Sequence, residues 1–174
     1  MGIQVKAGDF FCVQLHTNSF GLGVVAAKWN SELFVVMFEE TIVAPRSEEI
    51  DFSVLTPLLA SSSLDAKLYH GDWPIVKEDT NITALNQPIY KVEESQGTIA
   101  ESFDRKIRVT VDSSIAEQLQ YRKGVAPIRL EKALKAHHGD GVWEPHFNEL
   151  LYQEVLRSNA VLVNAGLMHA VKPS

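Results

Sequence analysis

The densest run of metal-ligating residue types is His137-His138-Gly139-Asp140-Gly141-Val142-Trp143-Glu144-Pro145-His146. Three imidazoles and a carboxylate match the four N or O donors that zinc takes. Adjacent His137 and His138 at a helix end point to different sides, however, and neither H-x-x-x-H nor H-E-x-x-H spacing occurs. Histidines near a helix C-terminus also have a plainer role, because a cation there interacts favourably with the helix dipole. The first expectation is no metal and no other cofactor. The alternative is a small metal-dependent hydrolase using His137, His138, His146 and Asp140 or Glu144. Cys12, the one cysteine, lies in an apolar run and reads as a buried thiol, not a nucleophile. No Gly-x-Ser-x-Gly elbow occurs. Gly21-Leu22-Gly23-Val24-Val25-Ala26 formally fits a dinucleotide fingerprint. That chemistry needs a strand, a glycine turn and then a helix whose N-terminus meets pyrophosphate. Here β-prone residues follow the glycines. No catalytic residue is therefore expected, and the chain reads as a non-enzyme.

Carboxylates recur as Glu39-Glu40, Glu48-Glu49 and nearby Asp51. Adjacent carboxylates are not spaced for acid–base work. They form a solvated acidic face able to meet Lys or Arg on a partner, which steers encounter and sets specificity more than affinity. Trp29, Trp73 and Trp143 each neighbour turn residues. Tryptophan buries a large area at core edges and also anchors interfaces. The expected partner-binding set is Glu39, Glu40, Glu48, Glu49 and Asp51, with Trp29 or Trp73 near it.

The whole chain has 174 residues, with 16 Lys plus Arg against 22 Asp plus Glu, for a formal charge of −6. An apolar share of 45 % and a charged share of 22 % suit a folded globular protein and exclude a disordered one. Runs such as 33–38 are far short of the roughly 20 residues of a membrane helix. The opening residues lack the apolar core of a secretory leader, so a cytoplasmic location and no membrane partner are expected. The acidic balance makes nucleic acid the weaker partner class, since no basic excess exists to release counterions.

The elements follow from pattern. Residues 9–15, 20–27 and 33–38 read as strands joined by short turns, hence an antiparallel meander. Gly21 and Gly23 inside the second strand mark a bend, a bulge or a close approach. A strongly bent, partly barrel-like sheet would use them. Residues 47–59 suggest a short helix or turn limited by Pro57, and Ser61-Ser62-Ser63 a polar break. Strand candidates continue at 64–69, 73–76, 87–92 and 106–111, with a loop at 93–104. Then the period changes. Leu130, Ala133, Leu134 and His137 share a face after Pro127, and Phe147, Leu150, Leu151, Glu154 and Val155 share another after Pro145. A final strand at 159–163 is expected. The outcome is a single α+β domain over 1–174, sheet-forming over about 1–111 and helical over about 112–174, with two late amphipathic helices.

Three segments together carry a family likeness. They are Val5-Lys6-Ala7-Gly8-Asp9-Phe10-Phe11-Cys12-Val13-Gln14-Leu15, then Phe20-Gly21-Leu22-Gly23-Val24-Val25, and later Tyr69-His70-Gly71-Asp72-Trp73-Pro74-Ile75-Val76. They resemble the immunity protein 26 family, in which a GD-x-F-x-apolar-x-L strand precedes an aromatic-G-x-G-x-apolar strand and later a G-x-W-x-apolar strand. The likeness covers about residues 5–80. It implies an immunity protein of a bacterial polymorphic toxin system, with no catalytic motif to carry over. The implied partner is a cognate protein toxin, a basic nuclease being the class that an acidic inhibitor would suit. A barrel-like module for a peptide or single-stranded nucleic acid is a further alternative.

Overall fold

The computed structural model describes residues 3–46, 50–78, 80–81 and 85–169. The N-terminal meander forms as the pattern predicts: β1 (Phe10–His16), β2 (Ser19–Trp29) and β3 (Glu32–Ile42) pair antiparallel in sequence order. The β2–β3 turn places Asn30 in the left-handed region at φ 53°, which Asn tolerates better than most residues. A short 3-10 turn, Phe52–Val54, leads into β4 (Pro57–Leu64), which lies beside β3. One helical turn, α1 (Ala66–Tyr69), then brings β5 (Ile75–Lys77) antiparallel to the free side of β1. The five-stranded order is β4-β3-β2-β1-β5. A second, three-stranded antiparallel sheet follows in sequence order: β6 (Ile89–Glu94), β7 (Gly97–Ser102) and β8 (Arg108–Val111). The remaining elements are α2 (Ser113–Ala116), α3 (Pro127–His137), a 3-10 segment Pro145–Leu150, α4 (Tyr152–Val155) and α5 (Arg157–Asn164).

Most antiparallel sheets leave one face to water. This one is covered on both, which explains the unbroken apolar run of β3. Leu33, Val35 and Met37 enter one core with Leu130, Leu134, Phe147 and Leu150 from α3 and the 3-10 segment. The alternate residues Phe34, Val36 and Phe38 enter another, with Tyr90 from β6 and Phe103 just after β7. A third core joins Ile89, Ala100 and Val111 to Ala116, Leu119 and Leu162. The architecture is thus α+β, as expected.

The sheet is not closed into a barrel, and β4 and β5 are its edges. Gly21 and Gly23 serve a bulge and two close approaches. The β2–β3 register jumps between Gly21↔Thr41 and Gly23↔Met37. A Cβ on Gly23 would fall 2.4 Å from Phe11 Cζ, and one on Gly21 would fall 2.7 Å from Leu134 Cδ2.

Four element expectations are corrected. Ser61-Ser62-Ser63 is the buried middle of β4, not a break. Its hydroxyls are satisfied there: Ser63 donates to the Val125 carbonyl at 2.8 Å and Ser62 to the Glu32 carboxylate at 3.2 Å. Residues 64–69 hold the end of β4 and α1 in place of a strand. The polar stretch 93–104 is a hairpin carrying β7, because buried Glu101 is held by Arg105 and Arg108 at 3.3 and 3.0 Å. The final strand expected at 159–163 is helix α5, whose Ser158, Asn159 and Leu162 turn inward at helical spacing. The second late amphipathic helix is also interrupted. Leu151 is extended (φ −57°, ψ 131°) and bridges Leu59 of β4, so one helical face breaks into the 3-10 segment, α4 and α5.

Candidate functional site

Of the acidic residues expected to meet a partner, Glu39 and Glu40 lie near the C-terminal end of β3, and Asp51 lies in the segment that leads into β4. Glu39 is exposed near the C-terminal end of β3. Glu40 beside it accepts hydrogen bonds from the Thr56 N–H (2.9 Å) and hydroxyl (2.8 Å), tying β3 to the segment before β4. Asp51 caps the 3-10 turn by accepting from the Ser53 N–H at 3.0 Å. Hydrogen bonds from the Ser53 hydroxyl and then its N–H hold the Asp51 carboxyl below the usual carboxylate range. Two apolar side chains stand out in the same stretches of chain, Val43 at 78 % and Val54 at 66 % exposure. Glu48 and Glu49 lie outside the described residues.

Neither tryptophan joins this group. Trp29 pairs with Glu32 at the other end of β3, roughly 26 Å from Glu40 at about 3.3 Å per residue. There its ring lies against two guanidinium groups, Arg105 at 3.7 Å and Arg122 at 5.6 Å from the centroid. Trp73 is 2 % exposed and stacks on Phe11 at 5.1 Å. Its indole N–H donates to Glu131 at 3.1 Å, and Glu131 also pairs with Lys67 (3.5 Å) and Lys135 (2.8 Å). Burial would raise the Glu131 pKa, but hydrogen bonds from Lys135 and Trp73 and the two lysine charges outweigh it and hold it low. Trp73 is a core residue with a satisfied polar edge, so it cannot be the surface anchor expected of it. The sequence signal for this was available: the indole needs an acceptor, and Glu131 lies on the polar flank of α3.

The histidine run does not assemble a metal site. Among the described residues, no three His, Cys, Asp or Glu side chains converge on a point suited to a metal ion. His137 and His138 sit edge to face at the end of α3, with ring centroids 5.0 Å apart. His146 turns away to Glu144, with Nδ1 3.2 Å from the carboxylate. Asp140 lies in the turn, its N–H donating to Lys135 O at 2.9 Å. Burial, then the neighbouring His137 and His16, push the His138 pKa down against the pull of Glu39. Trp143 packs on Phe147 and donates to Asn148 at 2.9 Å. Cys12 is buried, and burial pushes its thiol up to about 11, which leaves it un-ionised at neutral pH.

Sequence reasoning missed an open cleft of about 940 Å³ where β4 and β6 approach each other. Residues 120–125 bind both edges: the Lys91 N–H donates to Gln120 O at 2.8 Å, and the Val125 N–H to Ser62 O at 2.8 Å. Arg122 fixes this bridge from inside. Its Nε–H donates to Glu32 at 3.1 Å, an Nη2–H donates to Phe103 O at 3.0 Å, and the guanidinium lies 4.7 Å from the Phe103 ring centroid. No pattern announced the cleft, because its wall comes from four distant stretches of chain.

No helix among the described residues is long and apolar enough to cross a membrane. No protein-family model, curated protein or solved structure matches the chain.

Proposed function

We propose that this chain is a non-catalytic binding protein: a cytoplasmic immunity protein that neutralises a protein toxin by covering its active surface. The carrying observation is the end of the first sheet, where Glu39, Glu40 and Asp51 share adjoining segments with strongly exposed Val43 and Val54. Carboxylates at a rim raise the encounter rate with a basic surface and penalise acidic competitors. Exposed apolar side chains inside such a rim contribute on burial, at about 25 cal/mol per Å² removed from water. The overall charge of −6 has the same sign as this rim, so steering acts from a distance as well. A basic nuclease fits this surface as a target, because its own substrate is a polyanion. The resemblance of residues 5–80 to immunity protein 26 points the same way.

The test is capture of the toxin encoded beside this chain's gene. The wild-type protein should retain it, and the double variant Glu39→Lys, Val54→Ser should retain at least tenfold less. Both side chains are exposed, so the variant should keep the wild-type melting temperature. Equal retention by both proteins would remove this surface from the account.

A further inference from the structure

We infer that His138 is an acid-sensitive latch: while neutral it seats the last turn of α3 on the first sheet, and on protonation it releases that turn. Leu134, one turn earlier on α3, and Leu15 of β1 both lie against Gly21 of β2, so the end of the helix crosses these strands. His138 is the residue that closes the helix. Its N–H donates to Leu134 O at 3.2 Å and Lys135 O at 3.1 Å, and the Gly139 and Asp140 N–H groups donate to Ala136 O and Lys135 O. The His138 ring is partly buried, and its Nε2 is shut off from water with no hydrogen-bond partner among the described residues.

A nitrogen so placed suits one protonation state. In the neutral ring with its proton on Nδ1, Nε2 is an unused lone pair, which costs one missing hydrogen bond. In the imidazolium it carries an N–H and part of a full charge, and burying those without an acceptor costs far more. The neighbours add to this. His137 on the same helix lies edge to face at 5.0 Å, His16 at the end of β1 lines a polar cleft together with Lys135, and Glu39 acts from β3. Burial first, then the two imidazoles, oppose charging, while Glu39 favours it; the balance holds the ring below the ordinary imidazole range. The favourable helix dipole at this end is outweighed. Since the folded value lies below the unfolded one of 6.5, the seat is complete above that pH and weakens as pH falls toward the folded value. Charging then turns the ring out to water, and the N–H bonds of residues 138–140 loosen with it. Glu39 belongs to the docking surface proposed above, so acid also alters that surface; this consequence rests on the immunity reading, whereas the latch does not.

The experiment is NMR of the full chain from about pH 8 to pH 4.5, following the His138 ring and the amide exchange of His138, Gly139 and Asp140, corrected for its intrinsic pH dependence. The ring should titrate below an unfolded-chain imidazole, and exchange at these three amides should accelerate about threefold or more as it does. His138→Gln cannot charge, so its exchange there should stay level. Glu39→Gln should move the wild-type transition to lower pH and His16→Gln to higher pH, which keeps the test sound if His138→Gln folds poorly. A ring that titrates at or above the unfolded value, or equal acid acceleration in wild type and His138→Gln, would overturn the inference.

Discussion

Gly23→Ala is the sharpest test of how the first sheet is built. The added Cβ would sit 2.4 to 3.0 Å from three ring atoms of Phe11. Ordinary carbon contacts begin near 3.5 Å, so the ring must retreat by roughly 1 Å. It has nowhere to go: Phe11 is fully buried and its ring stacks on Trp73 with only 4° between planes. Trp73 is in turn held by its hydrogen bond to Glu131. Overpacking of this kind costs about 1–3 kcal/mol. Ala also stiffens the unfolded chain, which returns about 0.4–1 kcal/mol, because Gly23 has no positive φ to lose. Taking the middle of both ranges, the net expectation is a loss of about 1.3 kcal/mol, or a melting temperature lower by roughly 3–5 °C for a chain of this size. Gly21→Ala meets only the end of the flexible Leu134 side chain and should cost less. Urea unfolding of both variants, and of Gly23→Ala combined with Phe11→Leu, measures this. The double variant should lose less than the sum of the single losses, since the smaller side chain makes room. A neutral or stabilising Gly23→Ala, or strict additivity, would refute the close-approach explanation.

Two further predictions concern buried polar groups. Glu131→Gln should cost about 1–3 kcal/mol at pH 7, because Lys67 and Lys135 lose their counter-charge. The Glu131 pKa is depressed in the folded protein, so its contribution is present above the unfolded value near 4.5 and fades as pH falls through the folded one. Urea titrations at pH 7 and pH 3 should therefore show the wild-type advantage shrinking in acid; an advantage undiminished at pH 3 would contradict the assignment. Asn159 accepts from the Ile89 N–H at 3.0 Å and donates to the Gln87 carbonyl at 2.7 Å, acting as a strand partner for the start of β6. Asn159→Leu should cost about 2 kcal/mol or more by orphaning both groups, and should speed amide exchange at Ile89; unchanged exchange there would sink the role.

The sequence was most informative where one local rule acted alone. Alternation and turn chemistry located β1 to β3, and Pro127 with the Leu130–Leu134 spacing located α3. It misled where tertiary contacts supply what the side chains lack. The three serines of β4 look like a break, yet neighbouring backbone and Glu32 satisfy them in the interior. Segment 93–104 looks like a loop because it is polar and contains Gly97, yet it folds as a hairpin in which two arginines neutralise buried Glu101. The C-terminal helix 157–164 reads as a strand from its Val-Leu-Val, but Asn159 and Ser158 fix it against β6 and the 120–125 bridge. Of the expected acidic set, Glu39 and Glu40 lie near the C-terminal end of β3 and Asp51 caps the turn that leads into β4. The roles of the tryptophans were not legible, because an indole flanked by turns looks the same whether an internal acceptor or a partner takes its N–H.

Stoichiometry separates occlusion from chemistry more directly than any mutant does. Under the proposed immunity role, increasing amounts of the purified chain should be added to a fixed amount of a toxin found encoded beside its gene, with residual toxin activity as the readout. Occlusion predicts a linear fall to zero at one equivalent, and full recovery of intact toxin once the complex is dissociated. Complete inactivation at a small fraction of an equivalent, or toxin covalently altered after separation, would contradict it.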